Sequence, residues 1–148
     1  MKESKILNLG CGKLPEEDKF NVDMIDGPGV DLVWNLDNFP YPLKDGQFKQ
    51  IIARDVIEHL TDIVKVMEEW HRLLQVGGKL WIRTNDAEFP KQAWTDPTHK
   101  HAFTLESFDY WDDNTFLGKH YGFYSKAKFR VLSRVKKNFG IEIELCKI

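Results

Sequence analysis

Two glycines flank a cysteine near the start of the chain, in KILNLGCGKLP (5–15), where an apolar run meets residues with little side-chain bulk. Gly10 and Gly12 can turn the chain after a buried strand, or they can keep the backbone bare so that a ligand lies against it. The spacing is G-x-G alone, because Pro15 stands where the longer G-x-G-x-x-G fingerprint has its third glycine. Asp23 follows on the next apolar run, and its carboxylate can accept hydrogen bonds from ribose hydroxyls, with Asp26 as a nearby competitor. A second group sits in DPTHKH (96–101), where Asp96, His99 and His101 fall within six residues. An imidazole here can accept the proton that a hydroxyl or amine loses when it acts as a nucleophile. The same residues lack a further metal ligand, so no metal site is expected. Glu58 and His59 in IEHL either cap and pack a helix start or take part in chemistry.

These residues need elements to hold them. KILNLG reads as a buried strand, FNVDMI (20–25) as a second, VDLVWNL (30–36) as a third and KQIIARDV (49–56) as a fourth. From Thr61 to Gln75 the apolar residues Ile63, Val66, Met67, Trp70, Leu73 and Leu74 recur at helical spacing, and Gly77-Gly78 reads as the stop signal. KLWIRTN (79–85) is a fifth strand. The tail holds two β-rich runs separated by KKNFG, close enough for a hairpin. Strands separated by helix or turn predict a mainly parallel α/β sheet, and the hairpin makes the last strand antiparallel.

At 148 residues, with no repeat or linker, the chain is expected to form a single domain (1–148). No apolar run approaches the length of a membrane span, and MKESKILNLG has no signal-peptide core, so no membrane role is expected. Cys11 and Cys146 lie far apart and suggest no disulfide framework, in keeping with a cytoplasmic location. A net charge of −2 gives no global attraction to nucleic acid. The stretch KAKFRVLSRVKK (126–137) is the local exception; it reads first as the solvated face of an edge strand.

Taken together, LNLGCG, NVDM, VDLVWNLDNFPYPLKDGQFKQIIARDVIEHL and RLLQVGGKLWI resemble the class I S-adenosylmethionine-dependent methyltransferases, and more narrowly their short, minimal members. The segment DPTHKHAFTLESFDYW (96–111) is similar to one found in that short subgroup. The resemblance implies S-adenosylmethionine as cofactor. It also implies a doubly wound, mainly parallel seven-stranded sheet with an antiparallel last strand, the Rossmann-like methyltransferase fold in minimal form. Carried over, Gly10 and Gly12 would pass under the methionine and ribose parts of the cofactor, with Asn8 and Cys11 in the same binding segment. Asp23 would hold the ribose, Asn35 and Leu36 would meet the adenine, and Arg54 and Asp55 would lie near the methionine portion. Asn35 stands where the family often has aspartate. Only a dozen residues separate Gly10 from Asp23, so the first crossover helix should be reduced or missing and the site open.

Residues 86–124 form an aromatic-rich segment that could cap this site, with Trp94, Phe103, Phe108, Tyr110 and Trp111 among its rings. His99 and His101 are its candidate catalytic residues. RDVI (54–57) stands where amino-methylating nucleic-acid enzymes have an Asn/Asp-Pro-Pro-aromatic motif, which favours a small-molecule or saccharide-like acceptor. Two alternatives stay open: a non-catalytic cofactor-binding module or partner subunit, and an RNA methyltransferase using the basic stretch. A homodimer could cover the open site.

Overall fold

The structure is a computed structural model that describes residues 2–148. Side-chain alternation explains its sheet. In β1 (Ile6–Leu9), Leu7 and Leu9 are fully buried; they neighbour Phe20 and Val22 of β2 (Phe20–Asp23) and Ile51 and Ala53 of β4 (Phe48–Arg54). Leu80 and Ile82 of β5 (Leu74–Asn85) and Ile143 and Leu145 of β7 (Gly140–Lys147) continue the same apolar face. With β3 (Leu32–Val33) and β6 (Phe129–Lys137), the sheet has seven strands in the order β3-β2-β1-β4-β5-β7-β6. The first five strands are parallel, and β7 runs antiparallel to both neighbours. The hairpin closes through Asn138 and Phe139, both at positive φ (50° and 61°), the hand that matches strand twist.

One substantial helix, α1 (Ile63–Leu73), covers the apolar face through Val66, Met67, Trp70 and Leu73. Asp62 caps it by accepting from the Lys65 N–H at 3.1 Å. The helix ends at Leu73, four residues before the expected glycine stop, because Leu74 enters β5 beside Phe48, and both side chains are fully buried there. Gly77 and Gly78 therefore lie inside β5. The third strand is also shorter than the sequence suggests: only Leu32 and Val33 pair, and Trp34–Leu36 turn toward the site.

No helix joins β1 to β2, β2 to β3 or β3 to β4, so the first crossover helix is indeed missing. The long irregular link before β4 is fastened to α1 instead. Tyr41 OH donates to Leu36 O at 2.8 Å and accepts from Trp70 Nε1 at 3.2 Å, while Arg72 donates to Tyr41 O and Leu43 O. The opposite face of the sheet carries Gln50, Ile52, Arg54, Trp81, Arg83 and Glu144, all half-buried or exposed. The strand order is that of a doubly wound sheet, but the core lies on one side of it.

Candidate active site

In an open α/β sheet a ligand binds beyond the carboxyl ends of the strands, where the order reverses. Here that point lies between β1 and β4, and a cavity of about 670 Å³ opens there. That volume falls within the range of small-molecule and cofactor sites. Strand-end residues build it: Gly10 after β1, Asp23 closing β2, Asn35 and Leu36 after β3, and Asp55 and Val56 after β4. His59 and Leu60 add one wall, and Pro97, Thr98 and Lys100 another.

Asp23 is fixed at the rim by two backbone donors, Gly12 N to Oδ2 at 2.8 Å and Ile25 N to Oδ1 at 3.0 Å. Each carboxylate oxygen keeps lone-pair capacity for a further donor. Asp26 instead accepts from the Gly27 N–H at 2.8 Å and does not line the cavity. Gly10 has φ +65°, and a Cβ there would come within 2.7 Å of Val56 Cγ2. Its missing side chain therefore serves the contact between two strand ends. Gly12, at φ +58°, has no atom within 4 Å of a would-be Cβ and turns the chain with its N–H on Asp23.

The remaining expected cofactor residues divide. Asn35 lines the cavity, with its Oδ1 accepting from Asp37 N at 2.9 Å, and Leu36 is buried beside it. Asp55 lines the cavity at φ 53°, with Arg83 Nε 3.6 Å from its Oδ1. Asn8, Cys11, Gly12 and Arg54 do not line it. Asn8 is buried and donates to Asn21 Oδ1 at 2.9 Å, tying β1 to β2. Cys11 is buried too, and burial together with the Asp23 charge pushes its thiol pKa up, away from reactivity. Arg54 lies over the Trp81 ring at 5.3 Å, because its alternation phase sends it to the uncovered face of the sheet.

Sequence reading missed Met24, Ile25 and Trp34. Met24 and Ile25 are 66% and 73% exposed, directly after Asp23, and line the cavity. Two large apolar residues left in water beside a strand-end carboxylate mark the rim as an interaction surface. Their signal lay in NVDMI, where the apolar run continues past the carboxylate.

The DPTHKH segment is brought to this cavity by backbone. Glu58 O accepts from Lys100 N at 2.7 Å and from His101 N at 3.3 Å, so the segment is stitched to the turn Ile57–His59. The stitching sets His59 against His99, with ring centroids 4.6 Å apart and nearly perpendicular. Asp96 Oδ2 stands 3.7 Å from His99 Nε2. His101 points elsewhere: its Nε2 lies 3.1 Å from Thr61 O, in a shallower depression of about 550 Å³ with Phe103, Ser107 and Tyr110. His99 and His101 thus do not converge, and His59 takes the place beside His99. Glu58 itself is buried, and that burial raises its carboxyl pKa, with the Asp55 charge adding to the effect.

In the aromatic segment, Phe103, Phe108 and Trp111 are buried in the main core, whereas Trp94, Phe116, Tyr121, Phe123 and Tyr124 are exposed. Its cavity-lining residues come from 97–100 alone, and no aromatic ring of the segment lines the larger cavity. The cations of β6 are matched to carboxylates. Arg130 pairs with Asp112 and Asp113, Arg134 with Asp109, Lys136 with Asp86 and Glu88, and Lys137 with Glu142.

The profile of the family described as "Methyltransferase domain" matches residues 24–82. Among curated proteins none matches this sequence. Solved structures align over nearly the whole chain. A SAM-dependent methyltransferase from Archaeoglobus fulgidus is 15% identical with a TM-score of 0.68, covering 97% of this chain and 86% of its own. A structure of the complex between the Haloferax volcanii Trm112 methyltransferase activator and "the putative methyltransferase" is 9% identical, with a TM-score of 0.68, covering 99% and 83%. The N-methyltransferase NodS from Bradyrhizobium japonicum, solved with S-adenosyl-L-homocysteine, is 15% identical with a TM-score of 0.59, covering 97% and 78%. At these identities the likeness is one of fold.

Proposed function

We propose that this chain, a class I S-adenosylmethionine-dependent methyltransferase by fold and by the domain match over residues 24–82, methylates a small-molecule or saccharide-like acceptor at the open rim of its strand-end cavity. S-adenosylmethionine is the cofactor, and its sulfonium makes the methyl group electrophilic. The residues suit it: a ribose-holding carboxylate at Asp23, exposed Met24 and Ile25 for the adenine, and a bare backbone at Gly10. The acceptor would approach along His59, Thr98 and Lys100. The imidazole corner of His59 and His99 would take up the proton that the acceptor loses on methylation. His101, in the adjoining depression with Tyr110 and Ser107, would position the far side of a larger acceptor.

The observation that carries the acceptor class is the pairing of the β6 cations. A nucleic-acid surface needs cations free to meet phosphates, and four of those on β6 already meet carboxylates. Calorimetry with S-adenosylhomocysteine, then transfer of a labelled methyl group to small hydroxylated acceptors, sugars and RNA, tests the proposal. Cofactor binding with transfer to a small acceptor or sugar supports it. Transfer to RNA, with binding that weakens steeply with salt, replaces it with the RNA reading. Binding without turnover on any acceptor favours a partner subunit. That second reading draws on the Haloferax neighbour, solved with an activator protein, and on the uncovered sheet face here.

A further inference from the structure

One ligand atom each from His59, Asp96 and His99 lies within 4.8 Å of the other two. Neighbouring hydrogen bonds decide which atoms are free. Thr98 Oγ1 donates its single proton to Asp96 Oδ1 at 2.7 Å. It therefore meets His59 Nδ1, 2.9 Å away, as an acceptor. His59 then carries its proton on Nδ1 and keeps a lone pair on Nε2. His99 Nδ1 lies 2.6 Å from Ala93 O, a carbonyl that can only accept, so its proton is also on Nδ1 and its Nε2 is free. Asp96 Oδ1 takes the Thr98 N–H at 2.9 Å as well, which leaves Oδ2 facing the histidines.

We propose that His59, His99 and Asp96 form a binding site for a first-row divalent cation, of the kind that two imidazoles and one carboxylate hold, with Zn²⁺ the best fit. The arrangement has the second layer that metal sites use: each imidazole is oriented through its other nitrogen, one by a backbone carbonyl and one by a hydroxyl anchored on the carboxylate. Three protein ligands leave a coordination position open, as in catalytic rather than structural sites. His59 and Thr98 both line the larger cavity, so the ion would sit at its mouth. Its role toward the acceptor rests on the methyltransferase reading; its binding does not. In the loaded protein the ion would orient an acceptor hydroxyl and lower its pKa, the proton leaving to solvent beside exposed Asp96 instead of to an imidazole.

The test is titration of the full chain with Zn²⁺ by calorimetry and with Co²⁺ by visible absorption. We expect one equivalent bound, with affinity falling at least ten-fold in His59→Ala and in His99→Ala and unchanged in His120→Ala, whose side chain is exposed elsewhere. Thr98→Val, which removes only the orienting hydroxyl, should weaken binding roughly 10–100-fold. Absence of stoichiometric binding overturns the proposal, as does undiminished binding in the His59→Ala/His99→Ala double variant. Should that variant fail to fold, the Co²⁺ spectrum of the unaltered protein decides. Thiolate-to-cobalt charge transfer would put the ion on a cysteine and overturn the site, and ligand-field bands without it would support the site. S-adenosylhomocysteine affinity measured in chelator separates the two claims. Cofactor binding without cation binding sinks this proposal alone; cation binding without cofactor binding sinks the methyltransferase reading and leaves the cation site standing.

Discussion

Asp23 and Gly10 show how much one residue does at this site. Asp23 has both oxygens anchored by backbone donors and still faces the cavity, so Asp23→Ala should weaken S-adenosylhomocysteine binding ten-fold or more in calorimetry. Each charge-assisted hydrogen bond contributes roughly 1.5–3 kcal/mol. Asp26→Ala should change affinity little, since Asp26 is spent on its own turn. The reverse pattern would move the ribose to Asp26. Gly10 supports a different prediction, about stability. A Cβ would press on Val56 Cγ2 at 2.7 Å, so Gly10→Ala should lower the urea midpoint by the equivalent of about 1–3 kcal/mol. Val56→Ala in the same chain should recover part of that loss, leaving only the cost of positive φ. Equal loss with and without the second change would mean that the clash is relieved some other way.

Among the elements, β6 and the segment before it are joined by charge. Asp112 is buried, and burial alone would raise its carboxyl pKa. The Val131 and Asn114 N–H groups and the Arg130 guanidinium outweigh that and hold it below the usual carboxylate value. A depressed folded-state pKa adds stability that is fully present above the unfolded value, about 3.9, and is lost as pH falls through the folded value. Asp112→Asn should therefore lower stability at pH 7 and flatten the acid side of the stability curve, read from urea midpoints between pH 7 and pH 2. An unchanged acid limb would mean that Asp112 does not contribute to it. The same ion pairs bear on function, because releasing Arg130 and Arg134 by removing Asp109, Asp112 and Asp113 would create the free basic surface that RNA binding requires.

For the molecule as a whole, the one-sided core makes neighbouring residues unequal. Ile51 is fully buried under the helical layer, whereas Ile52, on the other side of the same strand, is only half-buried. Ile51→Ala should cost about 2–5 kcal/mol and Ile52→Ala about 1 kcal/mol or less, measured by urea unfolding at low protein concentration. A large, concentration-dependent loss for Ile52→Ala would show a second copy covering that face, and sedimentation at the same concentrations would detect it. A large loss independent of concentration would contradict the one-sided core.

The sequence by itself determined which segments form strands, though not all of their bounds, and with them the mainly parallel arrangement and the antiparallel hairpin, because alternation and turn chemistry are local properties. Asp23 at the end of its strand and the missing first crossover helix were legible for the same reason: a strand end and a twelve-residue gap can be counted along the chain. Tertiary structure decided the rest. Helix α1 stops at Leu73 rather than at the glycines because burial of Leu74 against Phe48 outweighs local propensity. Arg54 was expected at the cofactor and lies on Trp81, since which face of the sheet stays uncovered is not written in any one strand. The histidines changed partners for a similar reason. His99 and His101 are two residues apart, yet the two hydrogen bonds to Glu58 O turn His101 away and bring His99 to His59, forty positions earlier in the chain. Spacing along a loop does not reveal which side chains converge; the backbone bonds that fold the loop against a distant strand end decide it.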